Sequence, residues 1–204
     1  MYLCGVDDAG RGSVLGPLVI AGVLVHHSKL QKLKYIGVRD SKKLTKQSRS
    51  KLYNKILDLV DDYHVSKIHT KKIDQYVYVH NLNLLEAEYM GKTISILRPQ
   101  ISYVDSCDIN ATRFGNLVSR ISNSKIISLH HADSKLIVVA AASIIAKVNR
   151  DNAIKKIQRQ YDNIGSGYPS DIITHKFIKN CIKNNLMPNF VRNSWKTVRK
   201  LSNL

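Results

Sequence analysis

Gly5-Val6-Asp7-Asp8-Ala9-Gly10-Arg11-Gly12 sets two adjacent carboxylates in front of a glycine-flanked arginine. The residues before it, Met1 to Val6, are apolar enough for a buried strand, so the acids sit where that strand runs out. A second apolar run over 17–25 follows the glycine-rich turn, and the two together predict an N-terminal antiparallel hairpin. Further along, Ile101-Ser102-Tyr103-Val104-Asp105 is another short strand that ends in an acid. A helical pattern over 111–122 and a strand over 125–129 continue it, an alternation typical of a parallel α/β segment.

Around these elements the spacing predicts a strand near 63–69 and helices elsewhere. Thr45 is placed to cap a helix that runs to about Leu59, with Leu52, Ile56 and Leu59 on one face. Leu82, Leu85, Tyr89 and Ile96 keep helical spacing until Pro99 closes that helix. From Ser134 to about Tyr161 the pattern is helical throughout, with Ile137, Ala141, Ile144, Ile145 and Val148 as the buried stripe. Gly165-Ser166-Gly167-Tyr168-Pro169-Ser170-Asp171 is the strongest break after the core. Beyond it, Ile173, Phe177 and Cys181 suggest one more helix, and Trp195 lies in a basic tail. The expected fold is α/β: a mixed five-stranded sheet flanked by helices, with residues 1–163 as the main domain and 164–204 as a small helical extension.

Composition limits what such a fold does. The chain has 204 residues, 44% of them hydrophobic, enough for a substantial core. Lys and Arg number 32 against 15 acids, a formal charge of +17, which points to a polyanionic partner. The basic residues are spread along the chain and form no amphipathic basic helix, so a membrane surface is not expected. Cys4, Cys107 and Cys181 are far apart and lack metal-ligand spacing, as expected for reduced thiols in a cytoplasmic protein. No leader is expected from the opening residues, and the longest apolar stretches are too short to span a bilayer.

Phosphodiester cleavage needs an activated water and charge stabilisation at the leaving oxygen. Two divalent ions about 4 Å apart supply both, and carboxylates hold such ions because hard cations prefer hard oxygen ligands. Asp7, Asp8, Asp105 and Asp133 lie at the ends of predicted core elements. In a chain this basic they suggest a metal site built to meet a phosphate. Successive strand residues face opposite sides, so Asp7 and Asp8 share an ion only if the chain begins to turn at Asp8. Gly10-Arg11-Gly12 leaves backbone N–H groups uncovered, open to phosphate or a ribose 2′-OH, or it is an ordinary turn with a surface arginine. Tyr168, between Gly167 and Pro169, either stacks on a base or sugar or packs on the core. The residues alone lead as far as metal-dependent phosphoryl chemistry.

Taken in order, these motifs resemble ribonuclease HII, the type 2 ribonucleases H, and most of all the archaeal members. The opening segment with Leu15-Gly16-Pro17-Leu18-Val19 looks like the family's N-terminal signature, and Asp40-Ser41-Lys42-Lys43-Leu44 looks like its next block. Tyr103-Val104-Asp105, Ala132-Asp133, the stretch Ala140 to Asp151, the Gly165–Asp171 segment and Arg192-Asn193-Ser194-Trp195 complete the series. The resemblance implies a ribonuclease H fold and endonucleolytic cleavage of RNA paired with DNA. It also implies incision 5′ of a single ribonucleotide in duplex DNA, leaving 3′-OH and 5′-phosphate ends, with Mg²⁺ or Mn²⁺ required.

Carried over by position, Asp7, Asp8, Asp105 and Asp133 become the catalytic metal ligands. Gly10, Arg11 and Gly12 become the contacts to the ribonucleotide, and Tyr168 stacks at the junction sugar. Charge adds Lys42, Lys43 and the basic C-terminal part as phosphate contacts, and a monomer is expected. Two departures stand out: the family's second acid is usually glutamate where Asp8 stands, and Ser13 replaces a common proline. The shorter Asp8, with about 1.5 Å less reach, is expected to favour Mn²⁺ over Mg²⁺, which tolerates poor octahedral geometry badly. The alternative is a nucleic-acid-binding protein of the same fold whose catalysis has weakened, with Asp8 as its first sign.

Overall fold

In the computed structural model, which describes residues 1–39 and 44–202, β1 (Tyr2–Ala9) is the strand around which the sheet is built. Its odd and even positions are both almost wholly buried, as expected for a central strand covered on two faces. On one side it pairs antiparallel with β2 (Leu18–His26), from Tyr2 opposite His26 to Ala9 opposite Val19. On the other it pairs in parallel with β4 (Ile101–Asp105), which in turn pairs in parallel with β5 (Ile126–Leu129). With β3 (Asp62–Ile68) beside β2, the order among the described residues is β3-β2-β1-β4-β5. The expected five-stranded mixed sheet is therefore present, with the N-terminal hairpin supplying its antiparallel part.

The helices among the described residues are α1 (Leu30–Tyr35), α2 (Lys46–Leu59), α3 (Thr70–Tyr78), α4 (Leu82–Leu97), α5 (Ala111–Ser122), α6 (Ala132–Lys135), α7 (Ile137–Gln158), α8 (Ile172–Lys183) and α9 (Lys196–Ser202). Thr45 caps α2 as expected, its hydroxyl accepting from the Ser48 N–H at 3.1 Å, and Leu52 and Ile56 are its buried positions. The single helix expected from Ser134 to Tyr161 is instead two. Leu136 is extended (φ −126°, ψ 119°) and divides the one-turn α6 from α7. The amides of Val139 and Ala140 turn back to the Leu136 carbonyl, which gives the second helix its own start.

Two compact units divide the chain. The first comprises residues 1–9, 19–66 and 83–148 and holds the sheet with its main hydrophobic core. Within it α7 lies directly on β1, because a Cβ at Gly5 would run into the Val138 backbone carbonyl. The second unit comprises residues 10–18, 67–82 and 149–204, so the expected boundary at 163/164 falls inside it. Its own core gathers Val14, Leu15, Ile154, Ile164, Ile178, Val191 and Val198. Among the described residues no helix is long and apolar enough to cross a membrane.

Candidate active site

The parallel register of β1 and β4 sets Val6 beside Val104, so the next step brings Asp7 beside Asp105 at the carboxyl ends of both strands. Such strand ends are where ligands bind in open α/β sheets. Asp7 is 3% exposed, and its Oδ1 accepts the Asp8 N–H at 2.7 Å. Asp105 Oδ1 accepts the Ala132 N–H at 2.6 Å, which fixes the start of α6 and with it the next residue, buried Asp133. The break at Leu136 thus has a use: it leaves Asp133 on a short separate turn tied to the end of β4.

Helix α7 adds two polar groups that the sequence reading left without a role. The helix rises about 6 Å over four residues and a strand about 6.7 Å over two, so α7 keeps pace with β1. Val139 consequently meets Gly5, and Ser143, one turn on, hydrogen-bonds the Asp7 carboxylate. Lys147, a further turn along, donates to the Ser143 hydroxyl at 2.5 Å and acts on Asp7 through its charge. The available signal was a serine and a lysine four residues apart on an otherwise apolar stripe.

Burial pushes the Asp7 carboxyl up from the ordinary 3.8 to about 7. Lys147 opposes that rise, the Asp105 carboxylate adds to it, and the bonds from Ser143 and the Asp8 amide oppose it more weakly. The Lys147 charge therefore does not offset the cost of burying the Asp7 carboxylate beside a second acid. The pair offers hard oxygen donors short of positive charge, which fits a divalent cation. Among the described residues, no group of three or more His, Cys, Asp or Glu side chains is placed to hold a metal ion.

Asp8 departs from expectation. The chain does not turn there: Asp8 remains paired with Ile20, and Ala9 with Val19. The antiparallel partner reaches further along β1 than β4 does and keeps these backbone groups in the ladder. The turn comes at Gly10, whose φ of +88° suits glycine. Alternation accordingly sends the Asp8 side chain, half-buried, to the face opposite Asp7.

The remaining described candidates belong to the second unit. Ser13 N–H and hydroxyl both return to the Gly10 carbonyl, closing the turn. Arg192, fully buried, donates Nε to the Gly16 carbonyl and Nη1 to the Arg11 carbonyl, each at 3.0 Å. The Gly167 carbonyl accepts the Val14 and Leu15 amides, so the Gly165–Asp171 segment is bound to the same loop. Asp171 caps α8 through the Ile173 N–H and also accepts the Ser166 N–H. Those bonds hold its carboxyl down at about 2.

A Cβ at Gly10 would lie 2.7 Å from Arg150, whereas one at Gly12 would meet nothing within 4 Å. Gly10 is small for packing, and Gly12 has no such internal reason. Tyr168 is 38% exposed, its ring lying over the Arg150 guanidinium at 4.3 Å from the centroid, so it is not a core tyrosine. Burial lowers the Arg150 pKa from the ordinary arginine value, while Tyr168 and Asp151 work in the other direction. Lys42 and Lys43 lie outside the described residues. Arg150 and Arg192 escaped the sequence reading because a buried arginine looks like any other basic residue in a chain with 32 of them.

Comparison with known proteins identifies the family and the fold. The family model described as Ribonuclease HII matches residues 4–198. A ribonuclease HII of Cenarchaeum symbiosum is 48% identical over 200 residues, covering 98% of this chain and 97% of its own. The crystal structure of ribonuclease H2 from Pyrococcus horikoshii OT3 superposes with a TM-score of 0.93 at 42% identity, over 100% of this chain and 98% of that one. The ribonuclease HII of Archaeoglobus fulgidus, solved in complex with PCNA, gives 0.90 at 37% identity over 98% and 96%.

Proposed function

The chain belongs to the ribonuclease HII family of nuclease hydrolases, and we propose that it cleaves RNA paired with DNA and incises duplex DNA on the 5′ side of a single ribonucleotide. The observation that carries the chemistry is the Asp7–Asp105 pair, a buried and a half-buried carboxylate that repel each other at the ends of two parallel strands. Asp7, Asp105 and Asp133 would hold Mg²⁺ or Mn²⁺, a pair of which would supply an activated water and neutralise charge at the leaving 3′-oxygen, while Asp8, directed to the other face of β1, would lie outside that set. The chain's own contribution is orientation and charge balance. Ser143 and the Asp8 amide aim the Asp7 carboxylate, and the Ala132 amide does the same for Asp105. Lys147 tempers the repulsion between the two acids.

Recognition falls to the loop. Gly12, with open space where a side chain would go, leaves its backbone accessible to the ribose 2′-OH alongside Gly10 and Arg11. Tyr168 offers an exposed ring to the sugar at the RNA–DNA junction. Lys42, Lys43 and the basic C-terminal part would hold phosphates, as the +17 charge favours. Asp7, Asp105 and Asp133 come from one chain, in keeping with a monomer, and the free cysteines suit the cytoplasm.

The test is incision of a DNA duplex containing one ribonucleotide, titrated with Mg²⁺ and with Mn²⁺. The expected products carry 3′-OH and 5′-phosphate ends, and Asp105→Asn abolishes them. Binding without incision in either ion would favour the weakened-binder alternative, and equal cutting of all-DNA duplex would refute the ribose-reading loop. Asp8→Glu in the same titration is expected to leave the ratio of Mg²⁺ to Mn²⁺ activity unchanged, because Asp8 is directed away from Asp7, and a ratio shifted towards Mg²⁺ would restore a metal role to position 8.

A further inference from the structure

We propose that Arg150 is a positioning residue for substrate recognition, carrying the Tyr168 ring and the Gly10 turn as one preformed surface for the ribonucleotide. The inference rests on the reading of that loop and tyrosine given above. Arg150 is 4% exposed, yet it reaches three parts of the second unit. Its guanidinium lies 4.3 Å from the centre of the Tyr168 ring. Its Nη2 donates to the Ser166 carbonyl at 3.1 Å, two residues before that tyrosine. Its Cδ and Nε lie where a Cβ of residue 10 would be, only 2.7 Å from that point.

A purely structural role fits these facts poorly. Nε is buried without a hydrogen-bond partner among the described residues, and the nearest carboxylate, Asp151, stands 4.0 Å from Nη1. A leucine or methionine would fill such a space without bringing a charge out of water. What arginine adds is a flat cation able to lie under an aromatic ring while its edge donates to a carbonyl. The ring, 38% exposed, is thereby braced from below and remains open to a ligand. The turn is fixed by the same side chain, because Gly10 at φ +88° packs its bare Cα against Arg150. Lysine, a compact point charge on a flexible stem, cannot do both.

The test is a double-mutant cycle on the single-ribonucleotide duplex with Arg150→Lys and Tyr168→Ala. Arg150→Lys alone is expected to raise KM about tenfold with kcat within about twofold, and to add less than about twofold in the Tyr168→Ala background. Equal losses in both backgrounds, or no loss in either, would overturn the proposal. Should Arg150→Lys not fold, NMR of the wild-type protein decides. The Arg150 Nε–H resonance is expected to carry a ring-current shift that disappears in Tyr168→Leu, and a resonance that stays put would overturn the proposal too. If Tyr168→Ala itself leaves KM unchanged, the substrate role of the tyrosine fails and takes this inference with it. A raised KM in Tyr168→Ala with additive Arg150→Lys sinks the inference alone.

Discussion

The carboxylate cluster at the sheet ends and the loop carried by buried arginines both take charge out of water, but they leave it in opposite conditions. Asp7 is placed against a second acid, and its burial, only partly opposed by Lys147, raises its pKa to about 7. Arg192 is at least as deeply buried, yet its N–H groups reach the carbonyls of Gly16 and Arg11. The sheet site is left short of positive charge until a cation arrives. The loop site holds its buried arginines by hydrogen bonds to backbone carbonyls of its own unit. On the proposed reading, the comparison teaches that a reactive centre and a recognition surface place different demands on the fold, the first tolerating repulsion between its parts and the second needing rigidity.

The largest effect that would sharpen this contrast is expected for Asp7→Asn. Activity should fall on the order of 10³-fold, since a ligand for catalytic charge is lost. Stability should move the other way. A carboxyl whose native pKa lies near 7 keeps a proton that the unfolded chain gives up near pH 4, so its contribution falls as pH rises between those values. In chelator, Asp7→Asn should therefore unfold at higher urea than wild type at pH 8, by roughly 2 kcal/mol, with the advantage gone at pH 4. A less stable variant at pH 8 would break the comparison.

A smaller effect, on stability first, is expected for Arg192→Met. Two buried carbonyls lose their donor, and about 3 kcal/mol should disappear from urea unfolding, with no recovery on adding divalent ions. Recovery by cation would show that the two regions are not energetically separate. The smallest is Asp171→Ala, which removes the cap of α8 and a brace of the Tyr168 loop, at a cost of about 1 kcal/mol near neutral pH. Because its carboxyl titrates at about 2 in the folded protein, that difference should fade as pH falls from about 4 to 2. A difference independent of pH would mean the carboxylate form does not matter.

Much of the fold was legible because it followed simple periodicity. The strand at 101–105 and the helices at 82–97 and 111–122 lie where the pattern put them. The break at Leu136 was not, since an apolar residue between two helical runs gives no local sign of being extended. Helix α3 was missed because its buried positions include Thr70 and Asp74, which blur any apolar stripe. At the site, Asp7 and Asp105 could be placed together from strand ends alone. Asp8 could not, because whether a strand continues past its acid depends on how far the neighbouring strand reaches. The bracing arginines depend on contacts across great sequence distance, such as the 176 positions between Arg192 and Gly16, and no window of sequence contains that information.

Gly5 bears on chemistry it never touches. Its missing methyl sets the clearance between β1 and α7, and through that clearance the height at which Ser143 and Lys147 stand over Asp7. An alanine there would act as a shim, tilting the helix away and carrying its lysine off the carboxylate two residues downstream. The charge balance of the catalytic end is thus gauged by one hydrogen atom near the strand's middle.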